Sequence, residues 1–598
     1  MKRIILLGLL SSSLAFGQTS LPLTDLSDFE SKSSNWKIAG DVNVDINTNN
    51  TISTKPGTGV LVCEHQQGKY GTDYDLFSRF SHGDMDIDLE FMMAKGSNSG
   101  IYLQSRYEIQ LNDSWGAKTP KYFDCGGIYQ RWDDTKPEAE KGYEGYAPRN
   151  NVSKAPGLWQ KMTISFQAPR FDAAGKKIEN AKILFIKLNG IIIHENVSLS
   201  GVTRGSVSEM EVASAPLRIQ GDHGSVAFRN IIINNFDKKA GSIKDLNYQV
   251  YYGSYAHNAD LSTLKMDEKG NTPELTWEVT KKPNDYAFVI KGKYIAPTTG
   301  KYEFATQLGG NSTLKIDNQE ILPNNWTVTS EQRRASINLS EGEHTFEIFN
   351  NKRDGWLRPG LGFWSAGPGF RQVPHHSLGS LMASGASDPI LLTANTPNLL
   401  RSFMDFEEEG KKKRIVHAVS MGTPANIHFT YDMDKGALFQ IWKGAYLDAS
   451  PMWNDRGDGS SKPIGSLCLL SDQLFIGKGK STATDTTASS YKPLGYELDE
   501  EDMPTFRYKI FGNEISDKIR ISKGKMVSRE IVFKSNDPEI FGRLAKSKKI
   551  EKVGDNLYAI DDKSYFIQIN TGHEAGIVDG NLLVVKPADN KIIYSILF

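Results

Sequence analysis

The chain has 598 residues, 39 % of them hydrophobic, with 70 Lys and Arg against 71 Asp and Glu and only 3 Cys. Several domains with packed cores are expected from that length and composition. Balanced charge without a long basic run excludes nucleic acid as a partner, and three cysteines exclude a disulfide framework.

Residues 1–17 are laid out as a signal peptide: Lys2 and Arg3, an apolar run over 4–10, then Ala15-Phe16-Gly17 as a small-x-small cleavage site. The run is too short to span a bilayer, and no other stretch is long and apolar enough. No Cys follows the cleavage site. A periplasmic or otherwise exported protein without a lipid anchor is expected.

After residue 17 short alternating runs are divided by Gly, Pro, Asn and Asp, which predicts an all-β chain of sandwiches. Residues 86–93 turn Ile87, Leu89 and Phe91 inward and Asp86, Asp88 and Glu90 outward. Residues 101–111, IYLQSRYEIQL, are the most telling. As one strand they place Ile101, Leu103, Tyr107, Ile109 and Leu111 on a core face. Tyr102, Gln104, Arg106, Glu108 and Gln110 form the other face. Planar donors and acceptors beside an aromatic ring suit a sugar; an ordinary wet sheet face is the plain alternative. Cys63 and Cys125 are either a pair on adjacent strands or buried thiols. Asn189-Gly190 marks a tight hairpin within 182–193. Residues 217–233 read as a strand, a turn at 221–224 and a closing strand, with Arg218, Gln220 and Asp222 alternating with Leu217 and Ile219.

Two further β regions follow. Residues 294–304 and 313–321 read as hairpins, the second with Asp317-Asn318 at its tip, and 335–349 ends in a strand. Later strands are expected at 428–431 and 439–442, a loop-rich stretch at 446–463 and a Thr/Ser/Ala loop at 481–490. The KKKR run at 411–414, after acidic 407–409, reads as a solvated turn. No C-x-x-C, H-E-x-x-H, G-x-x-x-x-G-K-[ST] or G-x-S-x-G motif is present, which removes the commonest zinc, nucleotide and serine-hydrolase chemistries. No C-x-x-C-H occurs, so no haem is expected.

Four pieces resemble the 3-keto-disaccharide hydrolase domain family: NSGIYLQSRYEIQLNDSW (98–115), GGIY (126–129), the Trp159-centred strand and PLRIQGDHGSVAFRNI (216–231). The resemblance implies a concanavalin-like jelly roll over 18–237, with the even-numbered row on its concave face. YIAPTTGKYEF, LKIDNQEI and LSEGEHTFEI resemble the protective-antigen-type module, implying a β-sandwich at 244–375. Gly309-Gly310 stand where calcium-dependent members carry adjacent aspartates, which speaks against calcium-dependent sugar binding there. Residues 388–598 resemble, more loosely and through 421–457, a β-rich domain found beside sugar-dehydrogenase and cytochrome c modules in exported bacterial proteins.

An ordinary glycosidase needs two carboxyl groups, and Glu108, Asp113, Asp86, Asp88 and Glu90 offer them. The family resemblance implies another route, cleavage of 3-keto-glycosides. A C3 ketone acidifies the C2 proton, a base removes it, and the C1 oxygen leaves by elimination; added water completes a net hydrolysis. His223, flanked by glycines that allow close approach, is the expected base. Arg106 is expected at the enolate or keto oxygen, and Glu108 as acid, base or metal ligand. Tyr102, Gln104, Gln110 and Gln220 would hold sugar hydroxyls, and Trp115, Tyr129 and Trp132 would stack on rings. A divalent cation, its ligands unassigned, would polarise the ketone. The expected partners are a carbohydrate substrate and a sugar oxidoreductase of the same pathway. The alternative is a non-catalytic carbohydrate-binding protein.

Overall fold

The computed structural model describes residues 18–257, 259–381, 388–408, 410–453, 457–471, 473–479 and 489–598. The expected signal peptide and most of the 481–490 loop lie outside the described residues. Among the described residues the architecture is β throughout, with one short α-helix, Ser450–Trp453. No helix is long and apolar enough to cross a membrane.

The first region is a two-sheet sandwich. One sheet runs Ile191–Leu199, Ala181–Leu188, Gln160–Gln167, Asp84–Met93, Val226–Phe236, Ile52–Cys63, Trp36–Val44. The other runs Phe29–Glu30, Leu76–His82, Ala215–Ile219, Asn98–Leu103, Tyr107–Asn112. Ile87, Leu89 and Phe91 are buried as their alternation requires. Tyr107 meets Phe166 of the facing sheet at 5.5 Å between ring centroids, which fixes the odd-numbered residues as the inner face. Cys63 and Cys125 are buried free thiols.

Residues 101–111 are not one strand, as expected, but a hairpin. Gln104 and Ser105 take φ 53° and 55°, and Arg106 N donates to Leu103 O at 3.0 Å to close the turn. The ladder pairs Leu103 with Tyr107, Tyr102 with Glu108 and Gly100 with Gln110. Three residues link the paired positions, so even faces even and the predicted division of faces survives the fold-back. Only Gln104 and Arg106 leave the row.

The second region, with Gly83–Met85, separates as a compact unit of its own. Six- and four-stranded sheets enclose a core that includes Phe288, Ile290, Phe304, Leu314 and Phe363. Asp317 and Asn318, at φ 48° and 63°, form the hairpin tip read from sequence.

The third region falls in the same compact unit as the first. Asn398–Glu408, Lys411–Gly422, Ile427–Asp432, Ala437–Asp448 and Ser460–Leu469 pair in a closed ring, a five-stranded barrel, because the last strand bonds both Ala437–Asp448 and Asn398–Glu408. The KKKR run is therefore not a solvated turn. It opens a strand whose charges face the acidic strand, with Glu408 opposite Lys411 and Arg414 Nε 2.5 Å from Asp405. The loop expected over 446–463 is also shorter, since strands reach Asp448 and resume at Ser460. An eight-stranded sheet follows, anchored by a buried pair in which Arg529 bonds Asp517 at 2.6 and 2.9 Å and Tyr431 donates to the same carboxylate.

Candidate active site

The even face of the five-stranded sheet carries two polar rows set by strand register. The first joins three strands: Glu108 is opposite Tyr102, and Tyr102 is opposite Arg218. The second holds Gln110, Gly100 and Gln220, with Gln220 N donating to Gly100 O at 2.9 Å. Tyr102, Glu108 and Arg218 are 3 %, 3 % and 1 % exposed, so this is a buried polar layer and not a wet face. Gly100 makes the layer possible, since a Cβ there would overlap Glu108 Oε1. Gly100→Ala is expected to displace that carboxyl and lower kcat/KM about tenfold while Tm falls only a few degrees; steady-state kinetics beside a thermal melt checks it.

Glu108 is pushed up to about 8 by burial, against the opposing bond from the Tyr102 hydroxyl and the charge of Arg218. It is therefore a protonated donor near neutrality. Asp75 is raised to about 6 by burial, opposed by Arg218 and by Gly221 N, which donates to it at 3.0 Å. The Arg218 guanidinium lies 3.6 Å from the Tyr102 ring centroid, sets Nε 3.6 Å from Asp75 and donates from Nη2 to Gly205 O at 2.7 Å. Its Nη1 is buried without a hydrogen-bond partner. Gln110 Oε1 and Gln220 Oε1 are buried and unpartnered too. Arg218 Nε also lacks a hydrogen-bond partner, so two donors and two acceptors are unsatisfied in one polar layer. Buried polar atoms are nearly always bonded, so such a layer has unused capacity for hydroxyl and carbonyl groups.

His223 stands at the end of these rows. Its Nδ1 is 2.5 Å from Asp222 Oδ1 and 3.4 Å from Gln220 Nε2. The bond to Asp222 raises its pKa above the ordinary 6.5, against burial, and the charges of Glu108 and Asp75 act in the same direction. Asp222 is itself lowered: burial opposes, but His223 and the Gly71 amide at 2.7 Å outweigh it. Tyr70 places its ring 5.6 Å from His223. On the other side, Thr203 Oγ1 accepts from Glu108 N at 3.0 Å, and residues 203–205 form one wall of an open cleft of about 780 Å³. Arg131, Trp132, Lys141 and Tyr143 also line it, with the Arg204 guanidinium 3.6 Å from the Trp132 ring centroid.

The structure brings Tyr102, Glu108, Gln110, Gln220 and His223 together, with Tyr129 at the edge through its coupling to Glu108 and Arg204. It takes Gln104, Arg106 and Trp115 elsewhere. Gln104 bonds the backbone of His82 and Ala213 from its turn. Arg106 spends its donors on Met210 O and Gln104 O at 2.7 and 2.9 Å. Trp115 lies beneath Lys525, whose Nζ is 4.5 Å from the ring centroid, and against a cluster shared with the third region. Arg218 sits where a cation was expected from Arg106; its alternation on 217–222 was the available signal. Asp75 carried none. Among the described residues no three His, Cys, Asp or Glu side chains stand together as a metal cage, and the expected cation stays without assigned ligands.

An all-β sandwich that buries two carboxyls of raised pKa and an arginine, with the exposed His223 paired to Asp222 at one end of the row and a polar cleft at the other, has the make-up of a carbohydrate-active enzyme. Residues 23–234 match the family of 3-keto-alpha-glucoside-1,2-lyase-like domains, and residues 248–365 match the PA14 domain. No curated protein matches the chain. Similar solved structures include a candidate glycosyl hydrolase from Parabacteroides distasonis, 20 % identical over 37 % of this chain and 84 % of that one, with a TM-score of 0.24. Another is the Epithelial Adhesin 9 A domain of Candida glabrata in complex with Galb1-3GlcNAc, 11 % identical over 23 % of this chain and 92 % of that one, TM-score 0.19. Likenesses this slight carry no weight for function.

Proposed function

We propose that the first region cleaves 3-keto-glycosides by elimination across C1 and C2. The single observation behind this reading is the buried row Glu108, Tyr102 and Arg218 across three strands, in which burial raises Glu108, Arg218 Nη1 is unpartnered, and His223 is electrostatically coupled to Glu108. Neutral His223 removes the C2 proton. The electron pair passes onto the C3 oxygen, where Arg218 offers its open N–H to the enolate, in place of Arg106. Collapse of the enolate breaks the C1–O bond, and Glu108 gives its proton to the departing oxygen. The sugar is left as an enone; water added at C1 turns the outcome into net hydrolysis. Gln110 and Gln220 hold ring hydroxyls through their open carbonyl oxygens. Such a substrate is made by oxidising the C3 hydroxyl of a glycoside, so a sugar oxidoreductase must act first. Export through residues 1–17 would place the reaction outside the cytoplasm.

The test incubates the purified protein with a 3-keto-glucoside and with its unoxidised parent, in D₂O and with or without a chelator, and follows products by mass spectrometry. Aglycone release from the keto form alone, with an unsaturated or C2-deuterated sugar, is expected. Binding of both sugars without release would overturn the reading in favour of a carbohydrate-binding protein.

The pH profile gives a second check. The base must be neutral and the acid protonated, so kcat/KM should rise through the His223 ionisation, above 6.5, and fall through that of Glu108 near 8. Asp222→Asn removes the bond that raises His223, so the acid limb is expected to move to lower pH while the alkaline limb stays. An unmoved acid limb would remove His223 as the base.

A further inference from the structure

Residues 112–129 connect the candidate site to the third region. The far end of this segment runs beside Tyr107–Asn112. Gly126 N donates to Gln110 O at 2.7 Å, Gln110 N to Gly127 O at 2.8 Å, and Tyr129 N to Glu108 O at 3.0 Å. It fixes the backbone of two site residues and carries a third. At its near end Ser114 Oγ donates to Asp124 at 2.9 Å and accepts from Cys125 N at 2.9 Å. Asn151 Nδ2 ties this turn down by donating to Ser114 O and Ala117 O, both at 2.8 Å. Asn151 Oδ1 accepts in turn from Ser153 N and Oγ at 3.1 and 2.6 Å.

The last link comes from the barrel of the third region. Lys443 Nζ donates to Ser153 O at 3.1 Å, and Lys443 is 5 % exposed. Burial pulls its pKa down to about 8, opposed by Cys125, Asp113 and Asp124. Asp113 and Asp124 of the turn thus lie within electrostatic reach of a cation from another region of the chain. The same turn is gripped at Trp115, beside a cluster of Ala155 and Leu158 with Leu557, Ala559, Phe566 and Leu597. Lys563 adds an ion pair to Asp41 at 2.7 Å.

We propose that residues 388–598 are part of the catalytic scaffold, and that Lys443 is the positioning residue through which they hold the segment carrying Gly126 to Tyr129 against Glu108 and Gln110. This rests on the reading of the site given above. The ammonium does not touch substrate; it sets the backbone on which the acid stands. Removal of the ammonium leaves Ser153 O without its donor, and a small displacement of catalytic groups is enough to slow a reaction strongly.

The test compares the full chain with Lys443→Met, which keeps the aliphatic stem and removes the charge. Amide hydrogen exchange is expected to quicken at least tenfold at Gln110, Gly126, Gly127 and Tyr129 but not in the second region, and kcat/KM for a 3-keto-glucoside to fall about tenfold. Lys443→Arg, which keeps a cationic donor for Ser153 O, should retain part of both the exchange protection and kcat/KM. Unchanged exchange in 108–129, or quickening spread evenly over the first and third regions with nothing retained by Lys443→Arg, would overturn the proposal. If Lys443→Met does not fold, Lys525→Met, which releases Trp115, is expected to quicken exchange in the same segment, and no change there counts against the proposal. Exchange needs no substrate, so a wild-type chain inert toward the 3-keto-glucoside defeats the functional reading and leaves this inference to the exchange data.

Discussion

Glu108→Gln is expected to lower kcat about a thousandfold and at the same time to stabilise the protein. The first effect follows from the role: the amide fills the same space but has no acidic proton for the leaving oxygen, and positioned general acids contribute about 10²–10⁴-fold. Leaving groups of low pKa need no such proton, so the loss should shrink toward activated aryl 3-keto-glucosides. The second effect follows from burial. Glu108 has a pKa of about 8 when folded and 4.5 as its ordinary value, so the folded state holds a proton that the unfolded state loses between them. A group raised in this way supports the fold fully below the unfolded pKa, and that support is lost as pH rises through the folded one. The amide has no such dependence. Its advantage should be absent near pH 4, grow between 4.5 and 8 and level off at a few kcal/mol above. Denaturant melts at pH 4, 6 and 9 beside single-turnover kinetics check both halves. Full activity in the variant would remove Glu108 as the acid.

Arg218→Met is the second large effect, and here activity and stability fall together. The guanidinium is 1 % exposed and faces Asp75, so its loss leaves a buried carboxylate without a counter-charge. Breaking such a pair from one side costs about 3–5 kcal/mol. With Arg218 gone, burial is opposed chiefly by the Gly221 amide, and the pKa of Asp75 should climb further above the present value of about 6. The deficit should therefore be mild at acid pH and widen as pH rises. Removing a donor aimed at a developing oxyanion costs about 10²–10³-fold in kcat. Adding Asp75→Asn separates the two effects: it relieves the stranded charge and should recover most of the stability but none of the turnover. Recovery of both would make Arg218 a structural residue. Arg106 gives the control. Its donors close a turn onto Met210 O and Gln104 O, so its replacement should act through stability first.

Much of the first region was legible in its residues because side-chain parity along a strand is a local property. Alternation over 86–93 and 101–111 named the inner face, and Asn189-Gly190 and Asp317-Asn318 named their turns from backbone preferences alone. The fold-back at Gln104 and Ser105 was not legible because a lone serine is a weak turn signal inside a run whose alternation fits a single strand. Tyr102, Glu108 and Gln110 still share one face because the three-residue link preserves parity, while Gln104 and Arg106 leave it. Gly100 was read only as part of a motif, yet its missing side chain is the space that Glu108 occupies.

What the tertiary structure alone decided is non-local. Which arginine faces the acid depends on the register that sets Arg218 beside Tyr102, more than a hundred residues earlier in the chain. That Glu108 keeps its proton near neutrality depends on the burial of the sheet face under residues 203–205, and desolvation is a property of the packed molecule, not of a carboxyl group. The joining of the first and third regions, and the reach of Lys443 into the turn behind the site, likewise required the fold. The sequence by itself determined the β class, the polar row and the candidate residues Glu108 and His223. Packing determined which groups share a charge field, because Coulomb and burial energies depend on distance in space while alternation depends only on distance along the chain.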